Sequence, residues 1–137
     1  MSDDPTNPEP SPAHPSDEPV TDWARRERAE LEQAVRDIGE VPAVEVITTV
    51  ALHLMSAAAV KCGLGEEGDA ATDLDEARKL VNALAGLVVT SAPDLGTFHA
   101  APLRDGLTAL QRAFREASAF PDPPGDGPGE RLTGPVA

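Results

Sequence analysis

The sequence predicts an all-α fold, a small helical bundle with three core helices plus an N-terminal amphipathic helix, and two observations predict it. Apolar residues recur at helical spacing across residues 22–120, and no window shows the period-two alternation of a strand, apart from ambiguous valine-rich pieces inside the second helix. Proline marks the ends, because six of the 14 prolines lie in residues 1–20 and five lie in residues 121–135. The length of 137 residues predicts a single domain.

Both ends of the chain are predicted to be disordered. Residues 1–22 carry six acidic residues and no Lys or Arg, so they cannot bury enough apolar area to offset the entropy cost of ordering. The last 17 residues are rich in Pro and Gly, a composition that prevents regular secondary structure. The predicted divisions are a disordered acidic Pro-rich arm (1–21), an amphipathic helix (22–39), a helical domain (40–120) and a Pro/Gly-rich disordered tail (121–137).

The first helix begins at Thr21 or Asp22, either of which is a suitable N-cap, and ends at Gly39. Charged residues surround a narrow apolar stripe. The stripe consists of Leu31, Ala34, Val35 and Ile38.

The second helix, 43–62, is apolar on most of its circumference, and Glu45 is the only Asp, Glu, Lys or Arg in 43–60. Such a helix must be buried on several sides. Its polar side chains lie on one arc, and four of them form the candidate contact arc: Glu45, Thr49, His53 and Ser56. A further polar residue, Thr48, lies beside this arc, and Cys62-Gly63 is the expected C-terminal stop.

The third helix begins with a capping box at Asp73 and Glu76 and is expected to end before Pro93. The fourth helix is expected to open near Pro102, which places His99 before it. Its core stripe repeats in steps of four and three residues: Leu103, Leu107, Leu110, Phe114 and Ala117. Gly86 and Gly106 interrupt these two helices, and close backbone approach would explain both.

Composition excludes several classes of function. The net charge of −13 argues against general binding to nucleic acid or to anionic membranes, whereas a basic partner fits it. Aromatic residues make up 3% of the chain, which leaves no stacking platform for bases. The single cysteine suits a reducing compartment, and the acidic N-terminus lacks the features of a signal peptide, so we expect a cytosolic protein.

No motif predicts catalysis, a cofactor or a metal. The glycine pattern GLGEEG at 63–68 follows a helix and carries two acids, which fits a flexible linker and not a dinucleotide site. The acids of 66–76 lack the spacing of a calcium loop. Cys62 lies beside Lys61, which lowers a thiol pKa, but at a helix C-terminus, which raises it. His53 fits the edge of an interface or, alternatively, a pH-responsive or ligand-contacting group.

The apolar second helix predicts self-association. A core as small as residues 43–119 supplies only about 3–5 kcal/mol without a staple. The chain offers no disulfide, so we predict a homo-oligomer, a dimer, with the second helix at the seam. A membrane span is not predicted, because the uncharged run between Glu45 and Lys61 is shorter than about 20 residues.

Several segments of the chain resemble one family. They are EVPAVEVI (40–47), HLMSAAAVK (53–61), DLDEARKL (73–80), HAAPLRDGL (99–107), AFREAS (113–118) and PGE (128–130). They resemble the bacterial DUF1844 family in the form seen in actinobacteria, over about residues 40–135. The resemblance implies a small, mostly helical cytosolic protein without transferable catalytic residues. It also implies, through the neighbourhood of its actinobacterial genes, a link to translation.

Two functions follow from these observations. The first is a non-catalytic interaction or regulatory module with a protein partner, for which a basic or ribosome-associated protein fits the acidic charge. The alternative is a small-molecule or acyl-chain binding protein, or an enzyme, with a pocket lined by the helix 43–62 and with His53 as its polar contact.

Overall fold

The computed structural model describes residues 17–136, and it describes side chains from Thr21 onward except that of Ile38. These residues form five α-helices, one 3-10 turn and no strand, which confirms the predicted all-α class. The helices are α1 (Asp17–Glu40), α2 (Ala43–Lys61), α3 (Leu74–Leu95), α4 (Thr97–Ala117) and α5 (Glu130–Thr133). The chain divides into two compact units between Val41 and Pro42.

The first unit contains α1, which begins earlier than predicted. Residues 1–16 of the predicted disordered arm lie outside the described residues, but residues 17–21 are helical and not disordered. Pro19 lies in the first turn, where a backbone N–H would have no partner within the helix, so its missing N–H costs no hydrogen bond there. Within this unit, Leu31 and Val35 of the apolar stripe remain exposed.

The second unit is a three-helix core in which α2, α3 and α4 each contact the other two. The fully buried residues come from all three helices and include Ala51, Ala58, Val81, Leu84, Ala85, Val88, Leu103, Leu107 and Leu110. The contribution of α2 is two alanines, whereas α3 and α4 supply the larger side chains. The predicted core stripe of α4 is confirmed from Leu103 to Phe114, and Ala117 is exposed.

The junction between α3 and α4 differs from the prediction at both ends. Helix α3 continues through Pro93 to Leu95, and α4 begins at Thr97, so Pro102 and His99 both lie inside it. A proline inside a helix removes one backbone hydrogen bond and crowds the carbonyl of residue i−4, at a cost of about 3 kcal/mol. Buried residues flank both prolines, Ser91 and Ala92 in α3 and Ala100 and Leu103 in α4, so tertiary packing offsets this cost. Gly96 separates the two helices. Its φ of 82° is a backbone conformation that residues with a side chain rarely adopt.

The connection from α2 to α3 is an ordered turn and not the flexible linker expected for the glycine pattern. Gly63 has φ of 88°, and a 3-10 turn follows at Gly68–Ala71. The backbone N–H of Asp73 donates to the carbonyl of Lys61 at 2.8 Å, which closes the loop. Asp73 is the N-cap of α3, as predicted, since its carboxylate accepts from the backbone N–H of Glu76 at 3.2 Å.

The prediction that residues 121–137 are disordered is wrong for residues 121–136. These residues pack on α3 and include the short helix α5. Side chains of α3 and α4 form hydrogen bonds with the backbone of this C-terminal segment. Gly129 N–H donates to Asn82 Oδ1 at 2.7 Å, and Gln111 Nε2 donates to the carbonyl of Pro128 at 3.1 Å. Glu130 is buried and accepts from the backbone N–H of Gly125 at 2.8 Å. Backbone groups of the Pro- and Gly-rich segment are therefore paired by side chains of α3, α4 and α5.

The two glycines inside α3 and α4 differ in their surroundings, and we expect unequal effects on stability from Gly→Ala. A Cβ on Gly106 would lie 2.7 Å from Met55 Sδ, whereas a Cβ on Gly86 meets nothing within 4 Å. Close approach therefore explains Gly106 only. Gly86→Ala is expected to raise the free energy of unfolding by about 1 kcal/mol through helix propensity. Gly106→Ala is expected to gain less or to destabilise, because Met55 must move.

Urea denaturation followed by circular dichroism measures both changes. An equal stabilisation by the two substitutions would contradict the contact between α4 and Met55.

Candidate functional site

The structure places the whole predicted contact arc on the solvent side of α2. Glu45, Thr49, His53 and Ser56 are all exposed. The opposite side of α2 faces the core through Ala51 and Ala58, which are completely buried. Leu54, Met55 and Ala59 also pack against the core, but the other side of α2 is not covered within the chain. Burial of this helix on several sides would therefore need another molecule, and it stays a prediction.

Four large apolar residues share the exposed side with the arc, and sequence reasoning did not single them out. Val46, Val50, Leu52 and Val60 are 38%, 46%, 53% and 42% exposed. No charged residue stands between Glu45 and Lys61 along the helix. We define the α2 face as these four residues together with Thr49, His53, Ser56 and the half-buried Ala57. Contiguous apolar surface of this kind is typical of sites that contact another molecule.

Among residues 17–136, α2 is the one helix that is long and apolar enough to cross a membrane, judged by length and composition only. Core helices of soluble proteins can meet the same criterion. Ala51 and Ala58 are buried in the bundle, Leu54, Met55 and Ala59 pack against its core, and polar side chains interrupt the outer side of α2. Length and composition alone therefore give little support to a membrane-spanning α2.

A groove lies where the first turns of α2 approach the start of α4. It has a volume of about 340 Å³ and is lined by Val44, Glu45, Thr48, Thr49 and His99. Two residues of the predicted arc, Glu45 and Thr49, line it, whereas His53 and Ser56 do not. Its histidine comes from α4, which sequence reasoning missed because His99 was expected to precede that helix. The structure thus divides the predicted arc between this groove and the α2 face.

A second concave region lies between α3 and the C-terminal segment. It has a volume of about 480 Å³, and Arg78, Asn82 and Arg131 are among the residues that line it. Arg78 is engaged, because its Nη2 donates to Asp122 Oδ2 at 2.9 Å and its guanidinium lies 4.9 Å from the ring centre of Phe114. Asn82 already binds Gly129. These side chains hold the C-terminal segment in place.

The chemistry of the remaining polar groups points to structural roles. Burial raises the pKa of the Cys62 thiol, so the thiolate that would act as a nucleophile is disfavoured. Within residues 17–136, no group of three or more His, Cys, Asp or Glu side chains is arranged to hold a metal ion. The exposed α2 face is therefore the feature that most clearly suggests contact with another molecule.

Fold and surface together define a small all-α bundle protein whose second helix leaves an uncharged face exposed. The chain belongs to the DUF1844 family, described as a domain of unknown function, whose family model matches residues 43–116. This match begins with α2 and ends in the last turn of α4, so it covers the three-helix core. Comparison with curated proteins finds no match, and neither does comparison with solved structures.

Proposed function

We propose that this protein is a non-catalytic interaction module of the cytosol that works as a homodimer assembled through the α2 face. The observation that supports it is the exposure of Val46, Val50, Leu52 and Val60 on a helix without charged residues between its ends. Covering this face removes apolar surface from water, which is the main favourable term in protein association. A second copy is the simplest cover, because twofold pairing is the commonest form of oligomer.

Light scattering coupled to size-exclusion chromatography tests the dimer. We expect a mass of twice 14.3 kDa at micromolar concentrations and a shift toward the monomer on dilution. One helix face is small compared with the roughly 800 Å² per partner of a standard interface, which is why dilution should dissociate it. A folded monomer at every concentration would overturn the proposal.

The acidic surface supplies the second part of the proposal, a basic protein partner. The chain carries 24 acidic against 11 basic residues, so opposite charge would speed its encounter with a basic protein, for example a ribosome-associated one. The dimer doubles this charge and brings two acidic surfaces together. The proposed module binds its partner without a catalytic role for any side chain.

Affinity capture from a cell lysate, read by mass spectrometry, tests the partner. We expect a basic protein to be recovered at low salt and lost as salt screens the charges. A soluble protein of equal size and net charge is the matched control. Recovery of the same proteins by the control would show that charge alone explains the capture and would count against a specific partner.

A further inference from the structure

The side chain of Gln111 lies in the interior of the domain with half of its amide unpaired. Gln111 is 1% exposed. Its Nε2 donates to the carbonyl of Pro128 at 3.1 Å and to Thr133 Oγ1 at 3.0 Å, so both of its N–H groups are used. Exchanging the nitrogen and the oxygen would place Oε1 against the carbonyl oxygen of Pro128, which fixes their assignment. Oε1 is buried and has no hydrogen-bond partner among residues 17–136, although buried polar atoms nearly always have one.

Gln111 lines a small cavity between α4 and the C-terminal segment. The cavity has a volume of about 10 Å³, which is room for about one water molecule. Three charged side chains also line it, Arg115, Asp122 and Glu130. The unpaired Oε1 therefore belongs to a side chain at the wall of a polar cavity of molecular size.

The lining side chains offer both acceptors and donors. Glu130 is 5% exposed, and its Oε1 accepts from the backbone N–H of Gly125 at 2.8 Å. A Cβ on Gly127, which also lines the cavity, would lie 2.7 Å from Glu130 Oε2, so the carboxylate packs closely there. On the donor side, Arg115 Nη1 reaches the carbonyl of Asp122 only at 3.5 Å. A guanidinium has five N–H donors, so Arg115 has donors left for another partner.

We propose that this cavity binds one water molecule, which donates to Gln111 Oε1 and to the Glu130 carboxylate and accepts from the Arg115 guanidinium. Three partners are typical of a buried water, and this one joins α4 to the C-terminal segment. Charge favours a neutral ligand over an ion. Arg78 Nη2 donates to Asp122 Oδ2 at 2.9 Å, and Arg115 offsets the charge of Glu130. The inference is independent of the proposed dimer.

A crystal structure of the full chain, at a resolution that shows ordered water, tests the site directly. We expect one peak of density about 2.5–3.0 Å from Gln111 Oε1, within reach of Glu130 and Arg115. A direct hydrogen bond from a protein group to Oε1, with no peak in the cavity, would overturn the proposal. Several oxygen atoms about 2.3–2.6 Å from the peak would identify a cation such as Ca²⁺ and would overturn it too.

Oxygen-17 magnetic relaxation dispersion counts long-lived water in solution and allows variants to be compared. Gln111→Met removes Oε1 from a side chain of similar length, and we expect it to lose about one long-lived water per chain. Thr133→Val is the matched control, because it removes a partner of Nε2 and leaves Oε1 in place. It should keep the wild-type count.

Two results of this comparison would contradict the site. An unchanged count in Gln111→Met would show that Oε1 holds no water. An equal loss in Thr133→Val would show that loosening the C-terminal segment is enough to release it, whatever happens to Oε1. Circular dichroism shows whether each variant keeps the fold. If Gln111→Met does not fold, the crystal structure of the wild-type chain decides the question alone.

Discussion

Val50→Glu is expected to convert the dimer into a folded monomer. Val50 lies on the α2 face and is 46% exposed, so the substitution does not disturb the core of one chain. In a twofold dimer it places two carboxylates in the seam, and burying an unpaired charge costs several kcal/mol. We expect Kd for dimerisation to rise by about 100-fold or more, which corresponds to at least about 2.7 kcal/mol. Light scattering and sedimentation equilibrium measure this change.

Val89→Glu is the matched control, because Val89 of α3 is also a half-exposed valine, at 41%, on a helix of the same bundle. It adds the same charge to the chain and should leave the dimer intact. If Val50→Glu and Val89→Glu behave alike, the seam does not involve α2. If instead the wild-type chain binds phosphatidylcholine vesicles and Val50→Glu does not, the α2 face serves a membrane and not a second copy.

Gly129→Ala is expected to destabilise the domain by about 3 kcal/mol. Gly129 has φ of 76°, which costs an alanine about 1–2 kcal/mol. The new Cβ would also lie 2.8 Å from the Cβ of Ala85 and 3.0 Å from Gln111 Nε2, both of which are buried. Overpacking of this kind adds about 1–3 kcal/mol. Urea denaturation followed by circular dichroism measures the loss.

Gly125→Ala is the control, because it carries the backbone cost without the packing cost. Gly125 has φ of 90°, so it imposes a similar backbone cost, but nothing lies within 4 Å of its Cβ position. It should therefore destabilise by only about 1 kcal/mol. Equal losses for the two variants would mean that residues 121–136 do not pack on α3 as described.

Much of the core could be predicted from the sequence because the signals are local. The bounds of α2, the Asp73 cap of α3 and the stripe from Leu103 to Phe114 all depend on residues within a few positions of each other. The ordered C-terminal segment could not be predicted in this way. Its anchor joins Asn82 to Gly129, 47 residues apart. One signal was present, since the family resemblance extended to Pro128, Gly129 and Glu130, the three consecutive residues of that segment that are buried.

The candidate site was predicted only in part. The polar arc of Glu45, Thr49, His53 and Ser56 does lie on one side of α2. Its apolar neighbours were missed, because a helix that is apolar almost all round gives no periodic signal for which side is buried. His99 lies on α4, which begins at Thr97, and it lines the same groove as Glu45.

The sequence by itself determined the all-α class, the family and the composition of α2, since these follow from local spacing and residue type. Only the tertiary structure decided which side of α2 is covered, that α3 and α4 extend through their prolines, and that the C-terminal segment is ordered. The physical reason is the same in each case. Packing and long-range hydrogen bonds contribute more free energy than local backbone preferences, so they override those preferences wherever the two disagree.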